Sequence, residues 1–217
     1  MSVLPIRRST AASEIAEGLR DRLLSGVYAP GTALADLLDV PGAPPPTVRQ
    51  ALGELERDGL IVHSLHRGIE VTRITPDDVR DIYEIRHVLE GAGLAAMMRR
   101  RPLDVTWIAA AAERMGEASV AGDGRAVVEA DMAFHLALVA AAGSQRLTRA
   151  AQGAMMELRL VLAVADRAGD DLPALVADHQ YLVDVIRDGS LRKAQAALAD
   201  HLARGEILAC AAAFEQD

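Results

Sequence analysis

Residues 44–59 read Pro44-Pro45-Pro46-Thr47-Val48-Arg49-Gln50-Ala51-Leu52-Gly53-Glu54-Leu55-Glu56-Arg57-Asp58-Gly59, and Leu60-Ile61-Val62-His63 and Ile69-Glu70-Val71-Thr72 follow, joined through Arg67-Gly68. From Thr47 onward Val48, Leu52 and Leu55 fall on one helical face. Asp58-Gly59 supplies the stop, because glycine takes the left-handed angles that close a helix. The two β-branched runs have the length and composition of short strands, and Arg67-Gly68 that of a turn. A helix running straight into a small hairpin is the second half of a winged helix-turn-helix.

The residues before this stretch supply the first half. Ile15, Leu19, Leu23 and Leu24 recur at helical spacing, and Gly26 follows them. Beyond Tyr28-Ala29-Pro30-Gly31, the apolar piece from Leu34 to Leu38 allows a second helix of two turns at most. Val40 to Pro46 carries too many prolines to continue it, since proline lacks the N–H and disfavours helical angles in the residue before it.

After the hairpin, Thr75-Pro76-Asp77-Asp78 is a helix start, with Thr75 as cap, proline in the first turn and acids on the positive end of the helix dipole. It divides the chain into residues 1–75 and 76–217. Short Gly, Pro or Ser punctuation then separates about six helices, over 76–101, 103–121, 124–142, 144–167, 171–188 and 190–214. The fold expected is mainly α: an N-terminal winged helix-turn-helix followed by an antiparallel all-helical bundle. An aromatic content of only 3%, beside abundant alanine, favours the same class.

Half of the 217 residues are apolar (51%), enough for a core without staples. The lone cysteine, Cys210, excludes an intrachain disulfide and reads as inert packing. No apolar run follows Arg7-Arg8 as in a signal peptide, and no segment has the ~20 apolar residues of a membrane span, so a cytoplasmic protein without a membrane partner is expected. The net charge of −8 seems to argue against nucleic acid, but it is uneven. Residues 1–75 hold eight arginines and nine acids, against 15 basic and 22 acidic residues beyond them.

In Glu129-Ala130-Asp131-Met132-Ala133-Phe134-His135, a helix places Asp131 and His135 on one face, four residues apart, where both could grip one ion. His179 and His201 lie on the last two helices in otherwise apolar patterns. Each histidine alone is equally a core or a solvated residue, and Arg86 has a carboxylate four residues on, Glu90, with which it could form a surface ion pair. His63, His66 and His87 suggest no special role. There is no glycine-rich phosphate loop, Gly-x-Ser-x-Gly elbow or Cys–His nucleophile pattern.

Taken together, Pro30-Gly31, Thr47-Val48-Arg49-Gln50-Ala51-Leu52, Leu55-Glu56, Gly59-Leu60-Ile61, Arg67-Gly68, Tyr83-Glu84-Ile85-Arg86-His87-Val88-Leu89-Glu90, Asp131 to His135, Asp178-His179, Ile186 to Gly189 and His201-Leu202 resemble the GntR family. The subgroup is the one with a FadR-type C-terminal (FCD) ligand domain, and the resemblance covers about residues 10–215. It implies a dimeric, ligand-responsive repressor of double-stranded DNA, not an enzyme. Thr47, Arg49, Gln50 and Gly53 would face the groove and backbone, with Arg67 in the wing. It implies one divalent metal on Asp131, His135, His179 and His201; such mixed nitrogen and oxygen ligation suits zinc, nickel, manganese or iron. It also implies a small carboxylate effector, held by Arg86 and, as a second candidate, Arg159.

The chain departs from the family at its reading head. Relatives open the recognition helix with a Ser-Arg-Thr-Pro-Val-Arg-like run, whereas Pro44, Pro45 and Pro46 precede Thr47 here, and the stretch from Leu34 to Val48 is about two residues short. An effector- or partner-binding protein with a decayed helix-turn-helix is therefore one alternative. A metal-dependent hydrolase is the other and the weaker, since no general base stands out beside the site.

Overall fold

Helix α1 (Ala11–Leu24) begins where Thr10 accepts a hydrogen bond from the Ser13 N–H, and it buries Ala12, Ala16, Leu19, Leu23 and Leu24. The next described helix, α2 (Pro45–Arg57), buries Val48, Ala51, Leu52 and Leu55 against α1. Arg20 ties the pair together through Asp58, the residue that caps α2. The computed structural model describes residues 10–34, 40–65, 67–100, 102–165 and 172–214. It divides into two compact units, Met1–Arg73 and Ile74–Asp217.

The start of α2 lies two residues ahead of the expected Thr47. Pro44 is the N-cap, with extended angles and no side-chain cap, and Pro45 and Pro46 occupy the first helical positions. Those positions have no intrahelical partner for an N–H, so two prolines leave nothing unsatisfied there. The Pro44 carbonyl instead accepts from the N–H groups of Thr47 (2.9 Å) and Val48 (3.2 Å). Pro45 enters the helix although it too precedes a proline, so the expected exclusion is overridden at that one position.

At the other end of α2, Gly59 sits at φ 74°, its N–H bonding Glu56 O while Leu60 N–H bonds Leu55 O. This double closure holds Leu60 in the helix stop and moves the strand onset to Ile61. Strands β1 (Ile61–Ser64) and β2 (Gly68–Val71) pair antiparallel, Ile61 opposite Val71 and Ser64 opposite Gly68. The other edge of β2 is covered by Gly31 to Leu34, with Ala33 bridging Glu70 and Leu34 N–H bonding Ile69 O at 2.8 Å. Leu34 therefore belongs to the wing, and the rest of the expected second helix, like His66, lies outside the described residues.

The second unit is all-helical: α3 (Pro76–Arg99), α4 (Thr106–Ala121), α5 (Gly124–Ala140), α6 (Gln145–Ala165), α7 (Leu172–Arg187) and α8 (Leu191–Phe214). Thr75 and Asp78 cap α3 reciprocally, each side chain accepting from the other's backbone N–H. Helix α3 packs on α5, α6 and α8, while α7 joins α4 to α8. The α3–α5 crossing depends on Gly93, where a Cβ would stand 1.9 Å from the Leu138 carbonyl oxygen. Around Met115, Val127, Ala130 and Val176, helices α4, α5 and α7 close an apolar cluster, which leaves the inner faces of α5, α7 and α8 to meet beside α3. No described helix is long and apolar enough to cross a membrane.

Candidate metal centre and reading head

Four polar side chains are buried where α5, α7 and α8 meet: Asp131 and His135 of α5, His179 of α7 and His201 of α8. The three imidazoles each offer a ring nitrogen, all within 4.8 Å of one another. The Nε2 atom of His135 lies 3.3 Å from that of His179 and 3.3 Å from that of His201. Asp131 Oδ1 completes one side, 2.9 Å from His179 Nε2 and 3.6 Å from His135 Nε2. Ligand atoms about 2.1 Å from a common ion stand about 3.0–3.4 Å from each other; the two His135 contacts fall in that range, while Asp131 flanks His179 and His135 from outside the three-histidine cluster. Phe134 packs edge-on to His135 and His179 and closes the apolar side.

The other nitrogen of every imidazole is engaged. His135 Nδ1 meets Glu90 Oε2 at 2.7 Å, His179 Nδ1 meets the Leu175 carbonyl at 2.8 Å, and His201 Nδ1 meets Asp178 Oδ2 at 2.6 Å. With each Nδ1–H donating outward, each Nε2 keeps its lone pair for the centre, the pattern of metal-ligating histidine. The structure thus brings the four expected ligands together as a set that could hold one divalent ion.

The charges around this point are strongly coupled. Burial raises the Asp131 carboxyl, but His135 and His179 outweigh it and hold the group well below the usual carboxylate range. Burial opposes ionisation of Glu90 as well, yet His135 and Arg86 bring it down to about 2. For His135, burial and Arg86 disfavour the imidazolium, and Glu90 and Asp131 more than compensate, so its affinity for a proton rises. Burial pushes His201 down to about 4 against its bond to Asp178. The hydrogen bond from His201 leads in lowering Asp178 to about 2. Ionised carboxylates around converging lone pairs favour a cation.

Arg86 does pair with Glu90, as the spacing allows, but not on the surface. Its guanidinium is 4% exposed, meets Glu90 Oε1 through Nε at 2.9 Å and lies over the Tyr83 ring. Glu90, fully buried, therefore bridges Arg86 and His135. Arg159 is drawn to Glu129 of α5 at 3.4 Å, toward an exposed carboxylate. Sequence reasoning assigns no role at the centre to Glu90 or Asp178. The signal available for Glu90 is a carboxylate on the same stripe of α3 as Val79, Tyr83, Leu94 and Met97, where it must have partners.

In the first unit, Pro46, Arg49, Gln50 and Arg57 are exposed on α2, with Thr47 and Gly53 partly so. A Cβ at Gly53 would meet nothing within 4 Å, so that face is open. Arg67, at the wing turn, is largely exposed and approaches Glu70 at 3.4 Å. Arg57, near the end of α2, is a further exposed arginine beyond the expected residues.

Comparison with known proteins agrees with both halves. Residues 11–71 match the family described as bacterial regulatory proteins, gntR family, and residues 81–204 match the FCD domain. The chain is 26% identical to the probable D-xylose utilization operon transcriptional repressor of Paenarthrobacter nicotinovorans, over 91% of this chain and 88% of that one. It is 27% identical to the transcriptional regulator LutR of Bacillus subtilis, over 73% and 81% of the two chains. The crystal structure of a GntR regulator from Rhodococcus sp. RHA1 superposes with a TM-score of 0.81 at 28% identity, covering 91% of this chain and 96% of that one.

Proposed function

Because the chain belongs to the GntR family of transcription regulators and carries an FCD domain, we propose that it is a metal-dependent, effector-responsive repressor that binds its operator as a homodimer. The family is one of DNA-binding regulators, not of enzymes. The observation that supports the finer reading is the convergence of three imidazole Nε2 atoms and Asp131, each imidazole fixed from behind through its Nδ1.

In this reading Asp131, His135, His179 and His201 hold one divalent ion, which supplies open coordination positions for a small carboxylate. Arg86 meets the second carboxylate oxygen. Its pair with Glu90 is made through Nε at 2.9 Å, and a guanidinium has further N–H donors with which to meet a carboxylate. Arg159 is the second candidate contact. Thr47, Arg49, Gln50 and Gly53 meet the DNA, with Arg67 in the wing, and a two-fold dimer matches a palindromic site. The relative named as an operon repressor supports repression as the output.

Titrating the full chain against the DNA upstream of its own gene, with and without organic acids, tests this. Specific binding, weakened by one class of acid in the metal-loaded protein and not in the stripped protein, is the expected result. Equal affinity for scrambled DNA would favour the decayed reading head, for which the proline-capped start of α2 is the supporting observation.

A further inference from the structure

Helix α3 supplies no ligand to the proposed metal centre, yet it carries the charge that faces it. Glu90 is 0% exposed and uses both oxygens, Oε1 on Arg86 Nε at 2.9 Å and Oε2 on His135 Nδ1 at 2.7 Å. A buried carboxylate kept only to neutralise Arg86 would not need its second oxygen on the imidazole of another helix. The other two imidazoles have weaker anchors: a backbone carbonyl for His179, and for His201 the partly exposed Asp178, which Arg204 shares.

His135 is also the hub of the cluster, since its Nε2 is the atom common to the contacts with His179, His201 and Asp131. Were its proton on Nε2, an N–H would project into the space that the other ligands converge on. An acceptor at Nδ1 excludes that tautomer.

We propose that Glu90 is the positioning residue of the metal centre: by accepting the His135 Nδ1–H it turns the Nε2 lone pair onto the ion, with Arg86 as its fixed counter-charge. The inference rests on the metal reading above and adds α3 to the site. Metal occupancy then depends on a helix that follows the wing directly in the chain, from Val71 to Pro76.

Two measurements on the full chain test it. In the metal-free protein, at a pH high enough for His135 to be neutral, nitrogen NMR of labelled histidine should show its ring, assigned by its loss in His135→Asn, with the single proton on Nδ1. Zinc affinity, read by competition with a coloured chelator, should fall about 10–100-fold in the double variant Arg86→Met/Glu90→Leu, which removes the pair without stranding either charge. Glu90→Gln, which keeps an acceptor oxygen, should recover most of that loss. Melting of the metal-free variants reports whether they fold, and the His135 proton can be located without any change at Glu90. A neutral wild-type His135 with its proton on Nε2, or equal zinc affinity in a folded double variant and the wild type, would overturn the role of Glu90 while leaving the metal reading intact. A wild-type chain that takes up no zinc removes the metal reading itself, and this inference with it.

Discussion

At the scale of single residues, stability turns on how buried charge is shared among a few side chains. Arg86 and Glu90 are 4% and 0% exposed, so each needs charged neighbours: Arg86 leans chiefly on Glu90, and Glu90 on His135 and Arg86. Arg86→Met alone should cost about 3 kcal/mol of stability, because it leaves a buried carboxylate with only His135 to face. Adding Glu90→Leu should restore much of that loss, since replacing a buried ion pair by packed apolar groups is often neutral. Denaturant unfolding of the metal-free proteins decides it, and a single variant as stable as the double would show that the pair is not coupled. His179→Ala should remove one ligand and most of the stabilisation that added zinc gives the wild type, read as a melting shift that the variant no longer shows.

Two helix features yield sharp expectations at the scale of elements. Gly91 and Gly93 both lie in the interior of α3, where alanine has the better helix propensity by about 1 kcal/mol. A Cβ on Gly91 meets nothing within 4 Å, so Gly91→Ala should stabilise by roughly 0.5–1 kcal/mol. On Gly93 it would strike the Leu138 backbone, so Gly93→Ala should destabilise by about 3 kcal/mol or more through overpacking against α5. Opposite signs in chemical denaturation confirm the crossing, and two stabilising variants would refute it. At the N-terminus of α3, Thr75→Ala should cost about 1 kcal/mol at neutral pH. The Thr75 hydroxyl and backbone N–H lower the Asp78 carboxyl, so this stability is present above the unfolded carboxylate range and lost as pH falls through the lowered folded value. The gap between wild type and variant should therefore narrow in acid. Elements like these are readable from sequence because their signals are local: Thr75-Pro76, the 3.6-residue stripes, and Asp58-Gly59. The pairing of Ala33 and Leu34 with β2 is not, because a short apolar piece has no period of its own and its partner is some 36 residues away. The four candidate ligands can be named from sequence, but the contacts of Glu90 and Asp178 cannot, since those bonds join residues 45 and 23 apart in the chain. For Arg86 and Glu90 the spacing reveals the pair and not its burial.

For the whole molecule, the two units carry separate functions with separate tests. Binding of DNA by the first unit should follow counterion release. Arg49→Ala should weaken operator binding and reduce the slope of log affinity against log salt by about 2 for a dimer, near 0.9 for each phosphate that an arginine neutralises. An unchanged slope would take Arg49 off the backbone. In the second unit, the proposal that Asp131, His135, His179 and His201, buried on three helices, hold one ion is the central claim. Elemental analysis of the purified full chain, paired with its melting temperature before and after chelation, tests it most directly. One divalent ion per chain, and a melting temperature that drops on stripping and returns when the ion is restored, is the result expected of an ion that binds only the folded state. A chain that holds no metal and melts at the same temperature with chelator and with added zinc would contradict it.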